Sequence, residues 1–524
     1  MNNVVFFHYL LFLVFGAGLL TWLARNLKIA PAVVLLLGGS AVALLGGGGN
    51  IGMDPGLVLA AVLPPLLMSS SFYTAWKDFR QQLAPISSLV LGAVLFTTLA
   101  VAIVVHAVVP LPWAACFALG AIVSPPDAVA AKAMLQRFPL PTRLVTVLEG
   151  ESLVNDASGL LLYQMAVAAA ISGQFTGGHA AATFVMLVLV GMLIGFACGH
   201  LMVWSIRRLG DAVLSIVLTF LMAWISYSLA EHFGGSGVLS VVVCGLVLGV
   251  KQHDAFDADL RIKAESSWET IVFVLDALVF ILIGLELHGI WGRMQDDAML
   301  LKTGLDVALP AVITVIVARL VWVFAFLWLP SRVRGGANAW SFGEALVLGW
   351  AGMRGVVSLA VALALPATFP GRDVIVFSTF IVIFATLVLQ GLSLAPLIRV
   401  LRPRSGSSST LMGEHEARAH AFRAALMELE RMRQSGIDED TAAAIDRLIE
   451  EYQIRVRNNE NAYRHGTEHV QRRSRQLHMQ LDLVAVSRHE VLQLHESGRI
   501  SDPVLHRIES ELDLEELRLH RLLA

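Results

Sequence analysis

The densest group of polar side chains inside an apolar stretch of this sequence lies between Glu149 and Asp156. Residues four apart share one face of a helix, so Ser152 stacks on Asp156, and Glu151 stacks on Asn155 beside them. Carboxylate, hydroxyl and amide oxygens are hard ligands, which suit a small hard cation better than a soft metal. A polar contact between helices is the alternative, but this density of polar groups favours a cation site. The sequence therefore predicts a site for a small hard cation within residues 149–156.

Two further stretches place helix-breaking residues next to a charge. Residues 124–127 read Ser-Pro-Pro-Asp, and the two prolines remove two backbone donors, which breaks a helix before Asp127. Residues 349–355 place three glycines around Arg354, which weakens a second helix. Unwound backbone at membrane depth is tolerated where it is buried in protein or lines a cavity, and a free carbonyl such as that of Pro126 can bind a cation. We predict that Asp127 and Arg354 face the ends of broken helices and compensate their partial charges.

The composition is that of a membrane protein. The chain is 56% hydrophobic and 15% charged, with a mean hydropathy of +0.69, which excludes a plain soluble enzyme, a disulfide scaffold and a disordered protein. The net charge of −3 gives no reason to expect a nucleic-acid partner. An ionisable residue in a membrane span costs about 2.5–3.5 kcal/mol to insert, so each one suggests function. Several lie in the apolar part, among them Asp127, Glu149, Glu151, Asp156, Asp276, Glu286, Arg319, Glu344 and Arg354.

Thirteen apolar segments are long enough, or nearly so, to span a membrane as helices. They are residues 4–24, 29–46, 55–73, 84–109, 112–135, 143–172, 180–206, 211–231, 236–250, 267–288, 304–329, 340–366 and 373–400. Alternate connections hold 17 Lys and Arg residues on one side and three on the other, which predicts an N-terminus outside and a C-terminus in the cytoplasm. The two breaks fall in the fifth and twelfth segments, so two inverted repeats are expected, with a binding site at the breaks. The predicted fold is therefore an all-α polytopic membrane protein with about 13 transmembrane helices.

Arg319 lies deep in the eleventh segment and needs a carboxylate partner, because an unpaired charge is costly there. We predict that it pairs with Glu151, with Glu149 and Glu344 as competitors. The remaining intramembrane carboxylates are expected near helix ends or in hydrogen bonds between helices; these are Asp276, Glu286 and Glu344.

The chain changes character after the last apolar segment. Residues 401–524 hold 39 charged side chains, against 40 in residues 1–400. We predict a transmembrane domain over residues 1–403, a Ser-rich linker over 404–413 and a helical cytoplasmic tail over 414–524. The tail holds nine of the sixteen histidines. Solvated helix faces explain them most simply, and a regulatory pH sensor is the alternative, since histidine titrates near neutrality.

Four stretches resemble motifs of the bacterial sodium/proton antiporters, which belong to the branch of the monovalent cation:proton antiporter superfamily that includes the eukaryotic sodium/proton exchangers. The motifs are Glu-Gly-Glu-Ser-Leu-Val-Asn-Asp at 149–156, Ser-Pro-Pro-Asp at 124–127, Gly-Met-Arg-Gly at 352–355 and Val-Leu-Pro-Pro-Leu-Leu at 62–67. The resemblance covers about residues 1–400. It implies a homodimer in the plasma membrane with a dimerisation part and a mobile core, two crossed broken helices, and elevator-like alternating access. It implies no cofactor.

The resemblance also implies roles for single residues. Asp156 matches the ion-binding carboxylate, Asn155 its neighbour, and Ser152 a ligand. Asp127 matches a charged residue of the crossed helices. The family usually has Thr immediately before that position, where this chain has Pro126. A side-chain hydroxyl is therefore lost, and the backbone carbonyl of Pro126 would serve as a ligand in its place.

In the same resemblance, Arg354 matches the charged residue of the other broken helix, and Glu151 and Arg319 match a structural ion pair beside the site. Because Arg319 would hold Glu151 and Asn155 is neutral, Asp156 alone would exchange its charge. One such carboxylate predicts electroneutral, one-for-one exchange of Na⁺ or Li⁺ for H⁺, which serves pH and sodium homeostasis.

Three other functions fit parts of the sequence. Potassium/proton exchange uses the same mechanism, because ligand type does not determine ion size. A cation channel gated by the tail is a second alternative. An intramembrane aspartyl protease is the third, but the sequence has no Gly-x-Gly-Asp motif, and a protease leaves the paired breaks unexplained.

Overall fold

The computed structural model of the chain describes residues 3–27, 29–45, 60–127, 135, 138, 140–172, 177–295, 297–334, 339–401, 414–434, 439–497 and 499–523. Within these ranges every regular element is helical, which confirms the predicted all-α class. The chain separates into two compact units, residues 1–405 and residues 406–524. We call them the membrane unit and the tail unit.

The first half of the membrane unit contains eight α-helices within the described ranges. They are α1 (Asn3–Leu27), α2 (Pro31–Leu44), α3 (Leu63–Phe72), α4 (Trp76–Gln81), α5 (Leu83–Ser87), α6 (Val94–Val108), α7 (Trp113–Val123) and α8 (Thr142–Ser172). A π-helical segment at Ser88–Ala93 joins α5 to α6, so that these pieces form one continuous span from Leu83 to Val108.

The second half continues with long helices and a second interrupted segment. The helices are α9 (Gly177–Leu209), α10 (Ala212–His232), α11 (Gly237–Ala255), α12 (Ala258–Gln295), α13 (Ala298–Trp322), α14 (Leu329–Arg334), α15 (Phe342–Trp350), α16 (Val356–Leu363) and α17 (Arg372–Leu401). A second π-helical segment, Val323–Trp328, joins α13 to α14.

Eight of the described helical stretches are long and apolar enough to cross a membrane, and shorter apolar helices lie in α1, α2 and α7. Each of the thirteen predicted segments contains a helix of the structure, which confirms the prediction of a multi-pass membrane protein. Parts of two predicted segments, residues 55–59 and 128–134, lie outside the described residues. Helix α12 starts at Ala258, before the predicted residue 267, because the Asp257 carboxylate accepts a hydrogen bond from the Leu260 amide at 2.8 Å and caps the helix.

Small residues let the long helices approach closely. A β-carbon at Gly39 on α2 would overlap the backbone of α12, and one at Gly284 on α12 would overlap the backbone of α2. Gly195 on α9 meets the backbone of α11 at Ser240 in the same way. Close backbone approach through small residues is typical of helices packed in a membrane.

Two uninterrupted helices position the interrupted ones. Helix α8 packs along α7 and also contacts α15, and α17 packs against α7, α15 and α16. Both breaks are therefore held between the same pair of uninterrupted helices, α8 and α17. This arrangement places residues 149–156 beside the backbone that follows α7.

The tail unit is a small helical assembly. It contains α18 (Glu414–Gln434), α19 (Glu439–Glu496) and α20 (Asp502–Leu523) within the described residues. Helix α19 packs on both α18 and α20. Leu477, Val484 and Leu519 form a small buried cluster between α19 and α20.

Candidate functional site

The two interrupted helices touch at their breaks. The backbone amide of Asp127, after the end of α7, donates a hydrogen bond to the carbonyl oxygen of Met353, between α15 and α16, at 2.7 Å. The Asp127 carboxylate lies so close to Gly355 that a β-carbon there would overlap it. Glycine at 355 is thus required by this approach of a side chain to backbone.

The Asp127 carboxylate lies at the positive end of a helix. Gly355 is the N-cap residue of α16, and the first amides of a helix carry a partial positive charge. Arg354 precedes it and is only 1% exposed. Its backbone amide donates to the Thr386 hydroxyl on α17 at 3.2 Å. Within the described residues, no group hydrogen-bonds to the Nε and Nη1 atoms of the Arg354 guanidinium.

Helix α8 is tied to the first break by Asn155. The Asn155 side-chain amide donates a hydrogen bond to the carbonyl oxygen of Pro126. One helical turn further on, a β-carbon at Gly159 would overlap the ring of Pro125, so α8 lies directly on the prolines. Asn155 is fully buried, and its side-chain oxygen has no hydrogen-bond partner among the described residues. The carbonyl that the sequence suggested as a cation ligand therefore has a protein partner.

A cavity of about 70 Å³ lies beside the crossing of the breaks. A liquid water occupies about 30 Å³, so the cavity has room for a small cation with very few waters. Its polar lining consists of Asp127, Ser152, Asp156, Asp276, Ser70 and Ser358. Much of the apolar lining comes from the Val-Leu-Pro-Pro-Leu-Leu stretch, through Val62, Leu63, Leu66 and Leu67.

The cavity brings together only part of the predicted site. Asp127, Ser152 and Asp156 line it, and Ser152 and Asp156 lie one turn apart on α8 as the spacing predicts. Asn155 and Pro126 stand behind the wall, joined to each other by their hydrogen bond. The structure therefore places these two residues as supports of the wall.

Sequence reasoning did not select Asp276, which lines the same cavity from α12. It lies at the middle of that helix, between Ala258 and Gln295. Asp276 was visible in the sequence as a carboxylate inside an apolar segment, but the spacing alone did not show which face of α12 lines the cavity. The hydroxyls of Ser70 and Ser358 were missed as well, since serine is common in membrane helices and carries no distinctive pattern.

Arg319 on α13 forms a bidentate ion pair with Glu151 on α8. The Nη1–Oε1 and Nη2–Oε2 distances are 2.5 and 2.8 Å, and Nη2 also donates to the Leu348 carbonyl at 3.1 Å. The Arg319 and Glu151 side chains are 3% and 2% exposed. Glu344, one predicted competitor, instead completes a capping box with Ser341 at the start of α15. The pair lies beside the cavity but does not line it.

Comparison with known proteins supports the same reading of the membrane unit. The family described as "Sodium/hydrogen exchanger, transmembrane" matches residues 10–400. The chain is 30% identical to a sodium, potassium, lithium and rubidium/H⁺ antiporter of Bacillus pumilus, over 83% of this chain and 67% of that protein. It is also 30% identical to YjcE of Escherichia coli, named as an uncharacterised Na⁺/H⁺ exchanger, over 92% of each chain.

The fold is similar to a solved structure, that of the sodium proton antiporter MjNhaP1 from Methanocaldococcus jannaschii. The TM-score is 0.63 at 20% sequence identity, and the match covers 77% of this chain and all of the other. At this identity the similarity concerns the fold. Together with the extent of the family match, these findings show that the chain belongs to the sodium/hydrogen exchanger family.

Proposed function

We propose that the protein is a sodium/proton antiporter in which Asp156 binds either the cation or the proton. The observation that carries the proposal is the small cavity where Asp156 and Ser152 meet Asp127 at the crossing of two broken helices. Family members are secondary transporters, so the protein is a transporter and not an enzyme.

The chemistry follows from competition for one set of oxygens. Burial disfavours the charged form of a carboxylate, so Asp156 binds either a proton or a cation. Ser152 supplies a neutral oxygen on the same face of α8, and Asn155 holds the adjacent backbone through Pro126. A carrier that changes sides only when Asp156 is neutralised exchanges one ion for the other.

The ion pair supports an electroneutral cycle. Glu151 is bound by Arg319 through two hydrogen bonds and does not line the cavity, so it does not bind the transported ion. Asp127 lies at the positive end of α16, which stabilises its charged form. Asp156 and Asp276 are the other carboxylates of the cavity, and we assign the exchange to Asp156, which shares its face of α8 with Ser152. One proton is then exchanged for one Na⁺ or Li⁺.

We further propose the wider arrangement implied by the family. The protein is a homodimer in the lipid of the plasma membrane, with its N-terminus outside and its tail in the cytoplasm. The 17-to-3 distribution of basic residues supports this orientation. In this proposal residues 1–403 form the transport domain, residues 404–413 link it to the tail, and residues 414–524 regulate it.

Proteoliposomes test the function directly. The full-length protein is reconstituted with a pH-sensitive dye inside, and Na⁺, Li⁺ or K⁺ is added outside with the membrane voltage clamped. Wild type is expected to move protons in response to Na⁺ and Li⁺, and Asp156→Asn is expected to lose this response. Asp306→Asn is the matched control, because Asp306 is an exposed carboxylate on α13 that does not line the cavity.

Each outcome has a distinct meaning. Proton movement in response to K⁺ alone would show that the same exchange mechanism has K⁺ as its substrate. Cation flux without proton movement would indicate a channel and overturn the proposal. Full activity of Asp156→Asn would show that the cation binds elsewhere.

A further inference from the structure

A second and much larger cavity lies on a different face of α8 from the candidate ion site. We call it the apolar groove. It measures about 770 Å³ and is bounded by α8, by the π-helical segment after α5, and by α9 and α11. Its lining is almost entirely apolar, with side chains such as Val154, Leu161, Phe196 and Val243. Neither Ser152 nor Asp156 lines it.

The groove runs along the helices over a length greater than the thickness of one membrane leaflet. On α11 its lining extends from Ser236 at the start of the helix to Lys251 near its end. Fifteen residues at 1.5 Å each correspond to about 22 Å. One leaflet contributes about half of a hydrocarbon core roughly 30 Å thick. The groove is therefore long enough to hold an extended acyl chain parallel to the helices.

One end of the groove is basic. His200 and Lys251 line both the groove and an adjoining cavity of about 420 Å³, whose other walls include Trp204, Arg207 and Arg208. The Arg208 guanidinium stacks over the Trp204 ring, 4.4 Å from its centroid. Tryptophan and basic side chains at the end of a span are typical of the membrane interface.

The opposite end differs in charge. There the groove is lined by Glu231, whose carboxylate accepts the amide hydrogen of Gly237 at 3.0 Å. A ligand that fills both the apolar groove and the adjoining basic cavity must therefore be apolar along its length and negatively charged at one end only. A second copy of this chain does not meet this requirement at the basic end, because it would bring a surface with the same positive charges.

We propose that the apolar groove and the basic cavity together bind one anionic phospholipid. An acyl chain occupies the groove, and the phosphate contacts Arg207, Arg208 and Lys251. Basic pockets between membrane helices suit anionic headgroups, and each Lys or Arg near such a surface strengthens binding by about fivefold. The site is separate from the ion cavity, and the inference does not depend on which cation is transported.

Thermal unfolding of the purified full-length protein in a neutral detergent tests the proposal. Dioleoyl phosphatidylglycerol is titrated in, with dioleoyl phosphatidylcholine as the uncharged comparison and inorganic phosphate as a headgroup without chains. Phosphatidylglycerol is expected to raise the melting temperature at a lower concentration than phosphatidylcholine, and phosphate to have no effect. An equal response to both lipids, or a full response to phosphate, would overturn the proposal.

Variants locate the site. Arg207→Gln with Arg208→Gln is expected to raise the half-effective concentration of phosphatidylglycerol about 25-fold, as two lost charges require. Replacing both by lysine is expected to retain most of the effect, because the charges remain. Lys263→Gln is the matched control, since Lys263 is an exposed basic residue on α12 that pairs with Asp259 and lines neither cavity.

Val243→Phe narrows the groove without touching the basic residues and is expected to weaken the response to both lipids. Native mass spectrometry of the same samples counts bound lipids and protomers. One phosphatidylglycerol per protomer, lost in the Arg207 and Arg208 double variant, supports the proposal. An unchanged lipid count in that variant would contradict the proposal. A wild type that binds no lipid, together with a double variant that no longer forms dimers, would also contradict it.

Discussion

The membrane unit and the tail unit both contain arginines that bind carboxylates, but the surroundings of these ion pairs are opposite. Arg319 and Glu151 in the membrane unit form two hydrogen bonds of 2.5 and 2.8 Å with side chains at most 3% exposed. Arg488 in the tail unit reaches Asp513 and Glu516 at 2.6 Å each, yet it is 33% exposed and Asp513 is 68% exposed. The contact geometry is similar, and solvation is what differs.

Solvation decides what each contact contributes. An exposed pair contributes about 0.2–1 kcal/mol, because water screens the charges and the long side chains lose entropy. Removal of one partner from a buried pair leaves an uncompensated charge, which costs about 3–5 kcal/mol. The buried pair joins α8 to α13, and the exposed pairs join α19 to α20. A short contact distance by itself therefore does not identify a residue on which the site depends.

The largest effect is expected from Glu151→Gln in the membrane unit. The change leaves the buried Arg319 guanidinium without a charged partner and is expected to lower the free energy of unfolding by about 3–5 kcal/mol, with loss of transport. Thermal unfolding in detergent measures the first effect, and proteoliposome flux measures the second.

The double variant Glu151→Leu with Arg319→Leu sharpens this test. Apolar residues of similar volume can replace a buried pair at little cost in stability, so part of the lost stability is expected to return. A single variant as stable as wild type would show that the pair is solvated in the membrane unit too.

A smaller effect on stability but a large effect on transport is expected from Gly355→Ala. The added β-carbon would overlap the Asp127 carboxylate and force the two breaks apart. Transport is expected to fall more than tenfold, whereas overpacking costs about 1–3 kcal/mol in stability. Gly343→Ala on α15 is the matched control, because a β-carbon there makes only ordinary contacts of 3.5 Å or more. Equal transport activity of the two variants would show that the close contact between the two breaks is not needed for transport.

The smallest effect is expected in the tail unit, from Arg488→Ala. Loss of two exposed contacts is expected to lower stability by no more than about 2 kcal/mol, and the difference should shrink at high salt because screening already weakens the pairs. Thermal unfolding at 50 mM and at 1 M NaCl, between which the Debye length falls about fourfold, checks both statements. A loss of stability as large as that of Glu151→Gln would show that buried and exposed ion pairs contribute equally in the two units.

The sequence allowed several features of the site to be predicted because they are local. Two prolines, or glycines around an arginine, interrupt a helix wherever it lies, and the spacing of four places Ser152 and Asp156 on one face of α8. The apolar segments likewise predicted the helices, since a membrane span requires a long apolar stretch with all backbone groups paired within it.

Contacts between distant segments were beyond the reach of these patterns. Three carboxylates competed for Arg319, and the arrangement of the helices brought Glu151, 168 residues away in the chain, to it. The same arrangement placed Asp276 of α12 and Asp156 on one cavity, and it placed Asn155 behind the cavity wall, on the carbonyl of Pro126. Helical periodicity determines which residues share a face, but only the tertiary structure decides which two faces meet, because that choice depends on how the whole set of helices fills space.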